Sequence, residues 1–508
     1  MKKISLLVAA LLILAASGCG EKANENERAS VTLMMADSGR ANKSDNPIIA
    51  EFENRLDMDI EVNLIPSADF NSKFNVMAAG GELPDMTLFT NYDYFNYAGQ
   101  ELFLEIGDML GDYPNLNAID KKYYDQVAYQ GKYYAIPKVN PNQGKNNTVV
   151  RTDWLDKLGI AMPENLEQLR DMYKQFTYGD PDGNGQNDTF GLSTTSEVVA
   201  SVFPDTFMGI FGAFGIQPDY YHLEGNEVVY GAISENYKNA LRYLNELYTV
   251  DKVIDPDIFI IKTDQARQTF VQGRFGSFTA WWSIGPQVCM QRMNMAEVSP
   301  GAEIAVLPAI KGANGESGYR SKSAITGTVC INADTKYPQA CMKLMDYLAT
   351  EEGTVLGLYG FEGEHYTKET VTNVNGEEET LYTRTELGQQ EFDKKWLDIM
   401  SMFYSGSLAN NQYFNDALLM EHITAAENAP LYFDLFDGLT SDELQRYGAD
   451  LKKLEQEWMI NFITGKAPLD SFDEYVAQWK QKGGEEIFNS LLAVYNEINK
   501  TSYTAKLN

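Results

Sequence analysis

One run of nine residues gathers oxygen donors at regular spacing. Asp180-Pro181-Asp182-Gly183-Asn184-Gly185-Gln186-Asn187-Asp188 sets side-chain oxygens at positions 1, 3, 5 and 9. Gly185 stands at position 6, where a glycine permits the tight turn that points oxygens inward. The spacing matches the first part of an EF-hand calcium loop, with Gln186 offering its backbone carbonyl. Position 12 is Gly191, so the bidentate glutamate is missing. Thr189, water or a residue from elsewhere must complete the shell. The expected role is a Ca2+ ion that staples a loop and does no catalysis. The plain alternative is an Asx-rich turn.

The second chemical feature is aromatic. Trp281 and Trp282 follow Ser277-Phe278-Thr279-Ala280 at the end of an apolar run. Aromatic faces stack on the C–H faces of sugar rings and bury large area at low entropy cost. The alternative places both indoles in a core. Nucleophilic and metal-hydrolase chemistry finds little support. The three histidines, His222, His365 and His422, form no His-Glu-x-x-His, and neither Gly-x-Ser-x-Gly nor a Walker loop occurs. Carboxylate pairs are not excluded by motif among 72 acids. A secreted glycan-active enzyme, a glycosidase or lyase, therefore stays as the alternative function.

These residues need elements to hold them. Asn46-Pro47 starts a helix, with a side-chain acceptor at the cap and proline where the lost N–H costs nothing. Ile48, Ile49, Phe52 and Leu56 recur at helical spacing; Ile60, Val62 and Leu64 alternate as a strand does. A second helix carries Phe70, Phe74 and Met77 and stops at Gly80-Gly81. With the apolar runs Val31–Met35 and Met86–Phe89, the order is strand, helix, strand, helix, strand. That alternation predicts a parallel sheet covered by helices, an α/β class, with ligands at the carboxyl ends of strands. Two loops become candidates: 36–38, which supplies Asp37, and 90–97, which supplies Asn91, Tyr92 and Asp93. For Asp37 the competing role is a cap or turn; for Tyr92 it is packing between loops. Asn140 and Asn146 lie in a breaker-rich stretch at 138–147 and are weaker candidates.

Residues 1–18 read as a signal peptide: Lys2-Lys3, an apolar run from Ile4 to Leu14, then small residues before Cys19. The segment 19–29 reads as a polar tether. Formal net charge is −31, from 41 Lys and Arg against 72 Asp and Glu. Such a surface repels phosphate backbones, so nucleic acid is not an expected partner. Besides Cys19 there are Cys289, Cys330 and Cys341. Free buried thiols are expected, with a Cys330–Cys341 bridge as the alternative.

A resemblance appears in five segments taken in order: Gly-Glu-Leu-Pro-Asp-Met at 81–86, Gly-Lys-Tyr-Tyr-Ala-Ile-Pro at 131–137, Arg-Thr-Asp-Trp-Leu-Asp-Lys-Leu-Gly at 151–159, Val-Leu-Pro-Ala-Ile-Lys-Gly at 306–312, and Phe-Ile-Thr-Gly-Lys-Ala-Pro-Leu-Asp-Ser-Phe-Asp-Glu-Tyr-Val at 462–476. Together they resemble the family 1 extracellular solute-binding proteins, the group of maltose-binding protein, and especially its lipoprotein branch near the alginate-binding proteins. The resemblance implies a two-lobed type II periplasmic-binding-protein fold, each lobe a mostly parallel sheet flanked by helices, with three hinge crossings. It implies a monomeric receptor that closes on a carbohydrate, expected to be an oligosaccharide, and hands it to the permease of an ABC importer. It places Trp281 and Trp282 near the hinge, facing the cleft, and a structural calcium loop at 180–188. The small residues before Cys19 resemble a lipoprotein cleavage box, which implies diacylglycerol on Cys19 as the sole membrane anchor, on the extracytoplasmic face. The expected partition is 30–139 plus 278–322 in the first lobe and 140–277 plus 323–508 in the second.

Overall fold

The computed structural model describes residues 28–37, 45–90, 93–139, 144, 146–194, 203–372, 376, 378–394, 396–405 and 417–507. Cys19 and the leader lie outside the described residues.

The opening module forms as its periodicity requires: β1 (Ala29–Asp37), α1 (Pro47–Leu56), β2 (Met58–Pro66), α2 (Phe70–Gly80) and β3 (Met86–Thr90). Asn46 caps α1 by accepting from the amide of Ile48 at 2.9 Å, and its own amide donates to the carbonyl of Trp396. Replacing such a cap costs about 1 kcal/mol. Asp57 and Gly81 end the two helices in the left-handed conformation. β1 runs parallel to β2 on one side and β3 on the other. Val31, Leu33 and Met35 point into a core shared with Phe52 of α1, while Met34 points into one shared with Phe74 and Phe89. The sheet is thus buried on both faces, as a helix-covered parallel sheet should be.

β4 (Ile136–Val139) is the last strand before the chain leaves this sheet. β5 (Asn146–Arg151) then opens a second sheet, joined by α3 (Leu166–Tyr178), β6 (Phe190–Leu192), α4 (Phe203–Thr206), β7 (Phe275–Trp281) and β8 (Ile304–Leu307). The strand order is β8-β5-β7-β6, with β5 antiparallel to both neighbours and β7 parallel to β6. Val149 and Val150 of β5 enter opposite cores. Gly276 has a packing reason: a Cβ there would stand 2.1 Å from the ring of Phe176, so glycine lets β7 lie directly on α3.

β9 (Tyr319–Arg320) stays in the second lobe, but β10 (Ile325–Ile331) returns to the first sheet, antiparallel to both β3 and β4. α5 (Pro338–Leu348) packs against the first-lobe core, which also takes in Trp396 and Tyr404. α6 (Ala417–Asn428) lies on the second sheet, β11 (Leu431–Tyr432) pairs with β9, and α7 (Asp442–Thr464) fills the second core. Two lobes result, and among the described residues they share no strand. Val139 is the last described strand residue of the first sheet before Asn146 opens the second; Arg320 of β9 and Ile325 of β10 bracket a return, and Tyr404 of the first-lobe core precedes α6 on the second sheet.

The expected partition is therefore corrected. Residues 278–322 belong with β5 in the second lobe, because Ser277–Trp281 and β8 both pair with it. Residues 323–404 build the first lobe rather than the second. A short apolar run fits either sheet; alternation identifies a strand but not its partner. The sheets are also mixed, being parallel in the opening module and antiparallel where strands return from the other lobe. Cys289, Cys330 and Cys341 are free and buried, so the Cys330–Cys341 bridge does not form.

The second core encloses the side chain of Glu455. The Glu455 carboxyl accepts from the Tyr230 hydroxyl at 2.9 Å and the Trp479 indole at 2.8 Å. Burial pushes its pKa up to about 7, above an ordinary 4.5. Its stabilising contribution is therefore complete below about pH 4.5 and lost as pH rises through about 7. A glutamine keeps the accepting oxygen without the charge. Glu455→Gln should raise the melting temperature by a few degrees at pH 8 and by almost nothing at pH 5, measured by differential scanning fluorimetry.

Candidate functional site

Strand register places one edge of each sheet where the chain crosses between lobes. In the first lobe Gly327 pairs with Thr90 and Ile325 with Val139, so the carboxyl ends of β3 and β4 share an edge with the start of β10. In the second lobe Trp281, the last residue of β7, pairs with Asn146, the first of β5. Directly paired residues of an antiparallel ladder project from the same face. Trp281 and Asn146 are thus side by side where the chain crosses between lobes.

The two tryptophans part company. Trp281 is 45% exposed, whereas Trp282 is 5% exposed and packs with Leu419, Met420 and Ile423 of α6. Strand alternation sends neighbours to opposite faces. Only Trp281 is available as a platform, so the expectation that both indoles face the cleft is corrected.

Beside that indole lies a charged cluster. Asp205, at the end of α4, accepts from the Asn146 side-chain amide at 2.8 Å and from the Lys322 ammonium at 3.0 Å, both on Oδ2. Its Oδ1 lies 2.9 Å from Nη1 of Arg320. Nη2 of Arg320 donates to Asp219 at 2.7 Å, and the guanidinium sits 4.8 Å over the ring of Tyr220. The Tyr220 hydroxyl donates to the carbonyl of Ser321 at 2.6 Å. Burial works against the Arg320 charge, but Asp219 and Asp205 outweigh it and raise its pKa. An exposed aromatic face paired with the Asn146 amide, which the buried Asp205 links to the Lys322 ammonium, is a surface suited to a ring with hydroxyl groups. Of this group only Asn146 and Trp281 are legible in advance; Asp205, Arg320 and Lys322 lie far apart in sequence, with no motif to join them.

The other candidates are less gathered. Asp37 ends β1 and is half-buried, with its carbonyl accepting from Ser67 at 3.1 Å. Asp93 opens a short helix, Asp93–Asn96, and desolvation raises the pKa of its carboxyl. Asn91, Tyr92 and Asn140 lie outside the described residues.

The acidic loop at 180–188 is exposed and tightly turned. Asp180, Gly183 and Gly185 all adopt positive φ. The Gly185 amide donates to both carboxyl oxygens of Asp180 at 3.2 Å. The Asn184 side-chain amide donates to Asp182 at 2.7 Å and to Asp188 at 3.1 Å. Desolvation and the neighbouring Asp180 and Asp188 carboxylates raise the pKa of Asp182, a crowding of negative charge that a cation would relieve. Among the described residues no three His, Cys, Asp or Glu side chains converge as a metal group. The loop carries the donors in order, but Asn184 turns its nitrogen toward them.

The bacterial extracellular solute-binding protein family matches residues 36–355. The chain belongs to that family. It is 25% identical over 448 residues to the polygalacturonan/rhamnogalacturonan-binding protein YtcQ of Bacillus subtilis, covering 86% of each chain. It is 25% identical over 517 residues to lipoprotein LipO of the same organism, covering 97% of this chain and 98% of LipO. A solved HMO-binding, ABC-transporter-associated solute-binding protein of Bifidobacterium longum infantis superposes with a TM-score of 0.69 at 16% identity, over 94% of this chain and 100% of that one. The fold is the two-lobed α/β fold of solute-binding proteins, and the family is one of binding proteins rather than enzymes.

The two indoles should separate experimentally. Trp282→Ala empties a packed site and should destabilise by roughly 3–5 kcal/mol. Trp281→Ala should cost less than about 1 kcal/mol. Chemical denaturation of the two variants reads the difference.

Proposed function

We propose that this solute-binding protein is a lipid-anchored, extracytoplasmic, monomeric receptor that closes its lobes on a carbohydrate and delivers it to the permease of an ABC importer. The observation that carries the solute class is the exposed Trp281 indole paired with Asn146, whose amide leads to Asp205 and Lys322, where the chain crosses between lobes. Stacking buries the apolar face of a sugar ring, while the Asn146 amide and the partly exposed Lys322 ammonium fix its hydroxyls. The name of YtcQ, a polygalacturonan/rhamnogalacturonan binder by description, supports this class. Cys19 at the end of its small-residue box supplies the anchor in this reading, and the description of LipO as a lipoprotein supports it.

Ca2+ belongs to the same reading as a structural ion. Asp180, Asp182, Asn184 and Asp188 would hold it with side-chain oxygens and Gln186 with its carbonyl, once the Asn184 amide turns its oxygen inward. The ion would neutralise the crowded carboxylates and brace the loop against Lys157, whose ammonium already donates to the carbonyl of Pro181 at 2.7 Å.

A thermal-shift screen with neutral oligosaccharides and oligogalacturonides should find a stabilising glycan, and Trp281→Ala should weaken its binding at least about tenfold by calorimetry, in line with loss of one aromatic platform. A screen in which no glycan shifts the transition overturns the receptor's assigned solute class. Separately, EDTA should lower the melting temperature of the wild type and leave Asp182→Ala nearly unmoved; identical wild-type curves with and without EDTA remove the calcium assignment.

A further inference from the structure

The second lobe carries a cavity of about 350 Å3, and none of its lining residues belongs to β5, β7 or the Asp205 cluster. One wall is aromatic: the half-buried rings of Phe214 and Tyr243 lie 6.0 Å apart, inclined at 56°. The Tyr243 hydroxyl donates to the carbonyl of Leu166, at the start of α3, at 2.7 Å, which fixes that ring. A second wall is the turn at 312–316. Gly312 seats it closely, since a Cβ there would stand 1.7 Å from the carbonyl oxygen of Ala213. Gly215 lies between the two polar side chains that meet across it. A Cβ on Gly215 would stand 3.2 Å from Cγ of Glu316 and 3.7 Å from the amide nitrogen of Asn236.

The charges at this cavity already have partners. Nη1 of Arg242 donates to Oδ1 of Asn239 at 2.5 Å, which leaves the Asn239 amide hydrogens and the other guanidinium N–H groups to donate elsewhere. Glu316 accepts from the backbone and side-chain amides of Asn314 at 3.2 and 3.1 Å, and Glu246 accepts from Arg170 at 2.8 Å. A free anion would meet Glu246 and Glu316; a free cation would meet Arg242. A neutral ring with hydroxyl groups meets neither penalty. Its apolar face covers the aromatic wall, and its hydroxyls donate to the carboxylates and accept from the amides. The volume is at the small end of ligand pockets, about 300–1,000 Å3, so it suits the end of a glycan rather than a long stretch of one.

We propose that this cavity is a second saccharide site, taking the end of a neutral glycan, distinct from the edge at Trp281. It rests on the reading that the receptor takes carbohydrate. A weak second site of this kind raises the effective concentration of a longer glycan at the receptor.

Saturation-transfer NMR on the full chain tests it, with maltotriose, cellotriose and raffinose as neutral probes and trigalacturonic acid as the charged one. Trp281→Ala, which weakens the other site, should still pass saturation to at least one neutral trisaccharide, and less to trigalacturonic acid. Asn236 and Arg242 are both exposed, so Asn236→Ala with Arg242→Ala should leave the melting temperature unchanged. Added to Trp281→Ala, that pair should weaken the neutral probe at least about tenfold, for loss of two hydrogen-bonding side chains. Binding that the pair leaves unchanged, or that favours trigalacturonic acid, overturns the second site alone. So does a wild type that binds a neutral probe while Trp281→Ala binds none. A wild type that binds no glycan overturns the receptor's solute class as well.

Discussion

A guanidinium that is 8% exposed has to be neutralised where it stands. Arg320 occupies that position at the point where the chain leaves the second lobe, and the arrangement around it follows from the need. Asp205 and Asp219 face it, Tyr220 stacks under it, and Lys322 and Asn146 take the remaining lone pairs of Asp205. Breaking one partner from such a buried group costs far more than the intact cluster contributes. The cluster therefore acts less as a source of stability than as a fixed reference for β5 and β9. The edge that presents Trp281 inherits its position from that reference.

The lobes impose a second requirement. Each core is assembled from segments far apart in the chain, since β10 inserts between β3 and β4 and β5 inserts between β8 and β7. A lobe cannot fold from its first contiguous stretch alone, so the crossings are fixed by the cores they join. Movement is then confined to the short stretches that belong to neither core. A receptor that opens and shuts needs this separation of rigid bodies from a narrow hinge.

The opening module was fully legible in the sequence, because capping residues, helical spacing and alternation all agree between Asn46 and Phe89. The membership of later strands was not. Ile304–Leu307 and Ile325–Ile331 are both short apolar runs, and only long-range pairing sends the first to the second lobe and the second to the first. At the site, a strand end with two indoles was readable, but not that only one of the two stays exposed. Which one depends on α6, whose Leu419 and Ile423 claim Trp282. Asp205, Arg320 and Lys322 left no local signal, since an ion cluster formed across more than a hundred residues has no spacing to detect. The family itself was legible from ordered segments, and its match over residues 36–355 agrees with the fold.

The central claim is that two rigid bodies close on a solute at the edge carrying Trp281. Pulsed electron–electron resonance measures it directly. Val76 of the first lobe and Val250 of the second are exposed, and the described cysteines are buried, so Val76→Cys and Val250→Cys can carry the spin labels. With a bound oligosaccharide the distance distribution should shorten and narrow. A distribution unchanged at saturating oligosaccharide would contradict the account.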